Sequence, residues 1–409
     1  MVQTSTSLAN GVRDEPPTPD FDCYPCTVAA RDARVEGDLV RIEWDDGVVS
    51  RFHLLWLRDN AADEDTLNPV TREQTLDIST LPAELHAASA RIDPTGALAV
   101  HWLPEDRTVR YHQGWLRAFD YSNDALEWGR LPDAEPWTPA SLPAPLDFDG
   151  PGFLERDEVL GEALGAVLAH GIARLRGVPT EPGTVGRVAR RIGPIRETNF
   201  GLLFDVRAKP DADSNAYTTL ELLPHTDLPT REYEPGLQLL HCLENTARGG
   251  RAVMVDGLAV AGDIRREAPE HWHALTTIAW NFSNRARDTD YRFRSPIIVL
   301  DDRGEVAELR VNNFLRAPLS APFDVVEAAY AGLLELQSRL RDERYRMTFD
   351  YRPGDLVVFD NRRVLHGREA FDQSGGARWL QGCYLERDEL RSRWRVLARA
   401  RRRETLRQS

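Results

Sequence analysis

Lysine is nearly missing from this 409-residue chain: of 51 basic residues, Lys209 is the only lysine. Schiff-base chemistry therefore has almost no residue to run on. Only four cysteines occur, Cys23, Cys26, Cys242 and Cys383. That is too few for a disulfide framework, and a reducing cytoplasm is the expected location. No run of about 18 apolar residues exists, which excludes a membrane-spanning helix. The first twenty residues lack a basic segment followed by an apolar one, so they do not read as a secretory signal; residues 1–23 read instead as a disordered tail. Positive charge is in deficit, with a formal net charge of −14, and phosphate binding needs clustered positive charge. Neither a nucleic acid nor a membrane is expected as partner. What is present is 42% hydrophobic residues and 28% charged, enough to bury a real core. Ten Trp and 28 Gly point to β-rich packing rather than a helical repeat.

The pattern along the chain divides it. Residues 24–130 read as a small β domain of short strands. One hairpin turns at Asp46-Gly47 and another at Asp93-Pro94-Thr95-Gly96. The Pro-rich, acidic stretch 131–150 reads as a linker. A helix is expected from about Arg156 to His170, ending at Gly171, and another over about Thr184–Arg191. From Gly236 on, strands dominate: GLQLLHCLEN, GRAVMVDG, the run around the Asp302-Arg303-Gly304 turn, YRMTFDY, DLVVFDN and RWLQGCYL. Helices over about Leu258–Thr276 and Val325–Arg341 interrupt them. The fold class is mixed and β-dominated, a sandwich or barrel decorated by helices. It is expected to span 151–399, with 400–409 as a basic tail. The basic C-terminal run reads as a solvated face.

His225 and Asp227, two apart in PHTDLP, project to one face of an extended segment. They could hold two adjacent positions on a divalent metal, or be a strand-end His with its hydrogen-bonding Asp. A second feature shifts the balance. The strand LVVFDN leads to His366-Gly367-Arg368, and twelve residues after His366 comes Arg378, opening RWLQGCYL. Two His and one carboxylate make the facial triad of non-heme iron(II) oxygenases, which leaves three metal positions open. An Arg nearby can bind the far carboxylate of an oxoacid bidentately. Cys242 and Cys383 read as small buried hydrophobes, Cys23-x-x-Cys26 as incidental, His241 as structural, and His271 and His273 as helix surface or packing residues.

The string HTDLP…GLQLLHC…GGRAVMVDG…LHGREAF…RWLQGCY, together with the earlier FHLLWLRDN, resembles the gamma-butyrobetaine and trimethyllysine dioxygenase family of iron(II)/2-oxoglutarate oxygenases. The resemblance runs from about Phe52 to Leu397. It implies a double-stranded β-helix (jelly-roll) core with iron ligands His225, Asp227 and His366. Arg378 and Leu240 are the implied 2-oxoglutarate contacts, with dioxygen as second cosubstrate and ascorbate as a stimulant. Retention of Asp227 favours hydroxylation over halogenation. An aromatic cage for a trimethylammonium group maps onto Phe200, Phe204, Tyr217 and Tyr384. Asn312 and Asn313 are implied for the substrate's acid end, a further Asn position falling on Ser214 or Asn215. Relatives hold structural zinc through cysteines after LRDN and a later His; here Asn60–Thr66 has no Cys and the later position falls near Arg107, so no structural zinc is expected.

The activity implied is hydroxylation of an unactivated C–H bond of a small trimethylammonium zwitterion by a homodimer. Gamma-butyrobetaine is the first choice, with trimethyllysine or a trimethylammonium phosphonate next. One alternative is a hydroxylase of an amino acid or secondary metabolite. Another, of a different class, is a non-catalytic β-barrel binding module with structural histidines.

Overall fold

A computed structural model describes residues 15–123, 125–126, 130–207, 218–285, 288–372 and 376–408. The chain divides into two compact units, Met1–Arg130 with Arg399–Ser409, and Leu131–Ala398.

The small unit holds two three-stranded antiparallel sheets, one of Ala30–Glu36, Leu39–Trp44 and Val49–His53, the other of His86–Ile92, Leu98–Leu103 and Arg107–Tyr111. Gly47 and Gly96, at φ 85° and 92°, close the hairpins at the two expected turns, a region of backbone space that favours glycine. Alternate side chains (Val40, Ile42, Trp44, Phe52, Leu98, Val100, Trp102) bury into one apolar cluster. The alternating pattern of FHLLWLRDN reads as strand, but Leu54–Asp59 is helical, capped by His53, whose side chain accepts from the Leu55 N–H. Residues 1–14 of the expected tail lie outside the described residues. Residues 400–408 of the expected basic tail are helical, the end of the helix Arg387–Gln408.

The large unit is built on two sheets. The six-stranded one runs, in spatial order, Phe204–Val206, Arg378–Leu385, Leu237–Asn245, Leu356–Asp360, Ile172–Arg176 and Asp147–Asp149. The four-stranded one runs Leu222–His225, Val364–Arg368, Ala252–Asp256 and Met347–Phe349. The chain passes repeatedly from one sheet to the other, so strands far apart in sequence become neighbours. Period-two alternation sorts the side chains. Leu237, Leu239, Leu356 and Val358 pack outward against the helix Asp157–His170. Leu240, Cys242, Val357 and Phe359 point inward, sharing one cluster with Ala252, Met254 and Val364 of the smaller sheet. Each fully buried Leu or Val contributes roughly 1.5–3 kcal/mol. The helix Asp157–His170 stops where expected, at Gly171 with φ 74°, a left-handed C-terminal cap. Among the described residues, strand (31%) barely exceeds helix (29%), so β-dominance belongs to the core alone.

Two segments differ from expectation. The helix anticipated over Leu258–Thr276 is two helices, Gly257–Glu267 and Pro269–Thr277. Pro269 lacks the N–H to continue the first and sits instead at the first turn of the second. The Pro-rich stretch 131–150 is no free connector. Trp137 is buried, its backbone N–H donates to Asp256 (2.9 Å) and its indole to the His170 carbonyl (2.7 Å). Asp256 is in turn paired in bidentate fashion with the buried Arg363 at 3.0 Å. Asp147–Asp149 then joins the larger sheet beside Ile172–Arg176.

Candidate active site

His225 ends the strand Leu222–His225 and pairs across the smaller sheet with His366, their rings 4.3 Å apart between centroids. Gly367 permits this approach, because a Cβ there would lie 2.6 Å from the Leu222 carbonyl oxygen. After His225 the chain must turn sharply to present Asp227. Leu228 carries the turn at φ 57°, a left-handed conformation that costs a non-glycine residue about 1–2 kcal/mol. The fully buried Asn361 holds the loop in place. Its Oδ1 accepts from the Asp227 N–H (2.7 Å) and its Nδ2 donates to the carbonyls of Asp227 (3.1 Å) and Pro235 (3.2 Å). Thr226 adds a second tie, its N–H donating to the Val311 carbonyl at 2.7 Å.

The donor atoms of His225, Asp227 and His366 all lie within 4.8 Å of one another. His225 Nε2 is 3.4 Å from Asp227 Oδ1, and His366 Nε2 is 3.7 Å from Asp227 Oδ2. His225 Nδ1 donates to the Leu223 carbonyl at 2.8 Å, which leaves the Nε2 lone pair facing Asp227. Burial and the neighbouring His225 push His366 down to about 3, so it is a neutral imidazole with a lone pair to give. Burial alone would raise the Asp227 carboxyl. The two imidazoles and the Tyr384 hydroxyl outweigh it and hold the group well below the usual range. Two imidazoles and an ionised carboxylate, converging on one side, suit a divalent transition metal with open positions.

The triad opens into a cavity of about 170 Å³. Phe200, Phe204, Leu240, Asn312, Arg378 and Tyr384 all line it, as the sequence suggested. Phe204 and Tyr384 lie 4.9 Å apart between centroids, and Phe200 is 6.4 Å from Phe204. Gly382 makes room for this wall, since a Cβ there would sit 2.7 Å from the Phe204 ring. Tyr217, Ser214 and Asn215 lie outside the described residues. Asn312 has much of its amide engaged: Nδ2 donates to the Thr226 carbonyl, and Oδ1 accepts from Phe314 and Leu315. Asn313 does not line this cavity; its Oδ1 accepts from Arg316.

Arg378 is 6% exposed, yet its guanidinium has no hydrogen-bond or ion-pair partner among the described residues. Arg368, equally buried, donates to the carbonyls of Thr218 (2.8 Å) and Leu220 (2.7 Å) and keeps an unpartnered Nε. The buried Tyr351 hydroxyl is unpartnered too. Burial lowers both arginines below their ordinary value, Arg368 to about 10 with Arg378 adding to the effect. Two buried cations without a carboxylate partner are costly, and an anion bound between them would relieve that cost. Sequence reasoning missed several lining residues: Gln238, Asn284, Phe314 and Tyr351. Gln238 carried one usable signal, a polar residue on the inward face of a strand. The others come together only through the fold.

In the small unit, Arg107 pairs with Asp63 (2.9 Å), Asp65 and Glu105 (3.5 Å), while Arg58 holds Glu105 and Thr66. Ion pairs thus occupy the positions where the resemblance puts zinc ligands. Glu15, Cys26 and His112 also cluster, but His112 Nδ1 accepts from the Trp115 N–H, so its Nε2 carries the proton and has no lone pair for a metal. Burial pushes the Cys242 and Cys383 thiols up to about 12, which leaves neither reactive.

Comparison with known proteins agrees with this geometry. Residues 133–384 match the family described as "Taurine catabolism dioxygenase TauD, TfdA family". The chain is 44% identical over 383 residues to a gamma-butyrobetaine dioxygenase of Pseudomonas sp. (strain AK-1), covering 93% of this chain and 99% of that one. It is 31% identical over 382 residues to the gamma-butyrobetaine dioxygenase of Homo sapiens, covering 91% and 97%. It is 32% identical over 358 residues to the mitochondrial trimethyllysine dioxygenase of Rattus norvegicus, covering 85% and 83%. With a metal-competent triad, an unpaired buried cation and an aromatic wall in one cavity, and with relatives matched over nearly their whole length, the chain belongs to the TauD, TfdA family of dioxygenases.

Proposed function

We propose that the chain is an Fe(II)- and 2-oxoglutarate-dependent dioxygenase that hydroxylates a small trimethylammonium carboxylate, gamma-butyrobetaine first. The observation that carries this reading is the single cavity where the triad, the unpartnered Arg378 and the rings of Phe200, Phe204 and Tyr384 meet. His225, Asp227 and His366 would hold iron, which when bound supplies oxygen activation coupled to decarboxylation of the oxoacid. Arg378 neutralises the distal carboxylate of 2-oxoglutarate, helped by Arg368, and Leu240 packs beside it. The aromatic rings take the trimethylammonium head, each good contact gaining roughly 0.5–2 kcal/mol. Asn312, and Asn284 on the same cavity, are the amides we assign to the substrate's acid end. The crossing of the chain between its two sheets supports a double-stranded β-helix. We extend the reading to a homodimer working in the cytoplasm; no described helix is long and apolar enough to cross a membrane.

The test is a reconstitution with Fe(II), 2-oxoglutarate and gamma-butyrobetaine. Succinate should form in step with a product that has gained one oxygen atom. Absence of succinate with every betaine and amino acid tried would favour a binding module. Turnover confined to unmethylated amino acids would favour the secondary-metabolism alternative.

A further inference from the structure

Tyr384 does more than wall the cavity. Its hydroxyl donates to Asp227 Oδ2 at 2.7 Å. Three contacts fix the phenol in that pose. Its strand, Arg378–Leu385, pairs Tyr384 with Gln238 of the neighbouring strand. The Tyr384 carbonyl accepts from the Arg196 N–H at 2.8 Å. The ring packs against Phe204 at 4.9 Å, and the side chain is 4% exposed. A hydrogen bond to an ionised carboxylate from a preset donor is among the stronger kinds. The partner is equally constrained, because Asn361 grips both the N–H and the carbonyl of Asp227.

The two oxygens of Asp227 therefore differ. Oδ2 accepts from the phenol and lies 3.7 Å from His366 Nε2, whereas Oδ1 is free of the phenol and faces His225 Nε2 at 3.4 Å. We propose that Tyr384 is a positioning residue for the metal-binding carboxylate: its hydroxyl ties one oxygen so that Asp227 offers the other singly. A carboxylate held this way occupies one metal position rather than two. The opposite half of the same residue, the ring face, borders the cavity that takes substrate, so one side chain joins the substrate wall to the metal site. This inference rests on the metal-binding reading of the triad under Proposed function.

The test separates the hydroxyl from the ring. Tyr384→Phe keeps the ring, the Phe204 contact and the strand pairing, and removes only the donor. Phe204→Leu keeps the donor and weakens the wall. Full-length protein is titrated with Co(II), a redox-stable probe, against a competing chelator, without 2-oxoglutarate or substrate, and thermal unfolding of each metal-free variant checks the fold. Loss of such a supporting hydrogen bond typically costs on the order of 10–100-fold in metal affinity. Tyr384→Phe should raise the Co(II) dissociation constant by about tenfold or more, while the metal-free variant still unfolds cooperatively. Phe204→Leu should leave it near wild type while raising the KM for gamma-butyrobetaine. Tyr384→Phe binding Co(II) as tightly as wild type overturns the proposal. So does an equal loss in Phe204→Leu, which would trace the effect to packing. Failure of the wild-type protein to bind Co(II) at all would instead remove the metal reading of the triad itself.

Discussion

Replacing Arg378 by Ala should have opposite effects on the free and the liganded protein. In the free protein the guanidinium is 6% exposed, has no carboxylate within ion-pair distance among the described residues, and sits near the equally buried Arg368. Its removal takes away a desolvated charge and some repulsion, so the metal-free variant should unfold at the wild-type temperature or above it. With 2-oxoglutarate bound, Arg378 has a partner. Breaking a buried ion pair by removing one side costs roughly 3–5 kcal/mol. Arg368 keeps a free Nε on the same cavity and recovers part of this, so the lower end applies, a loss on the order of 100-fold in 2-oxoglutarate affinity. The assay is a 2-oxoglutarate titration of succinate formation at saturating substrate, beside thermal unfolding of the free variant. A 2-oxoglutarate KM within a few-fold of wild type would refute the assignment and move the carboxylate to Arg368. A strongly destabilised free variant would refute the claim that the charge is unpaired.

Three further outcomes are expected. Alanine at His225, Asp227 or His366 should abolish turnover and weaken Co(II) binding while circular dichroism stays native. Gly382→Ala puts a Cβ 2.7 Å from the Phe204 ring; overpacking of this kind costs about 1–3 kcal/mol, and the KM for gamma-butyrobetaine should rise several-fold with that for 2-oxoglutarate nearly unchanged. Glu234 is fully buried, both its oxygens without a hydrogen-bond partner among the described residues, and burial raises its carboxyl well above the ordinary value. The folded state therefore keeps a proton that the unfolded state releases above about pH 4.3. Stability must fall as pH rises from there through the folded value, and Glu234→Gln should unfold at a higher temperature than wild type at pH 7, by a margin that grows with pH.

The metal triad was legible because its chemistry is written locally: His225 and Asp227 are two residues apart, and His366 follows a strand whose first four residues, Leu356 to Phe359, are apolar. Arg378 follows His366 by twelve residues and lines the same cavity. The helix Asp157–His170 and its Gly171 stop were legible for the same reason, a periodic stripe ended by a residue suited to positive φ. Other features depend on pairings that no local pattern encodes. Arg368 reaches the cavity from the strand Val364–Arg368 and Tyr351 from the segment after Met347–Phe349, and Asn361 grips a loop 134 residues earlier. The Tyr384 hydroxyl bond was hidden behind its ring: aromaticity suggested a cage wall, and only the register of the larger sheet turns the phenol toward Asp227. Pro269 was a visible stop signal that a continuous apolar stripe obscured. The burial of Trp137 was masked by the Pro-rich composition around it.

The central claim is that this cavity selects a methylated cation and oxidises the molecule that carries it. A trimethylammonium has no N–H to satisfy and gains from each ring face, whereas a primary ammonium entering the same wall loses hydration that the rings do not replace. The most direct measurement is kcat/KM for succinate formation with gamma-butyrobetaine and with gamma-aminobutyrate under identical Fe(II) and 2-oxoglutarate. The account predicts a preference of more than about tenfold for the betaine, a gap of roughly 1.4 kcal/mol. Equal or faster turnover of gamma-aminobutyrate would contradict it.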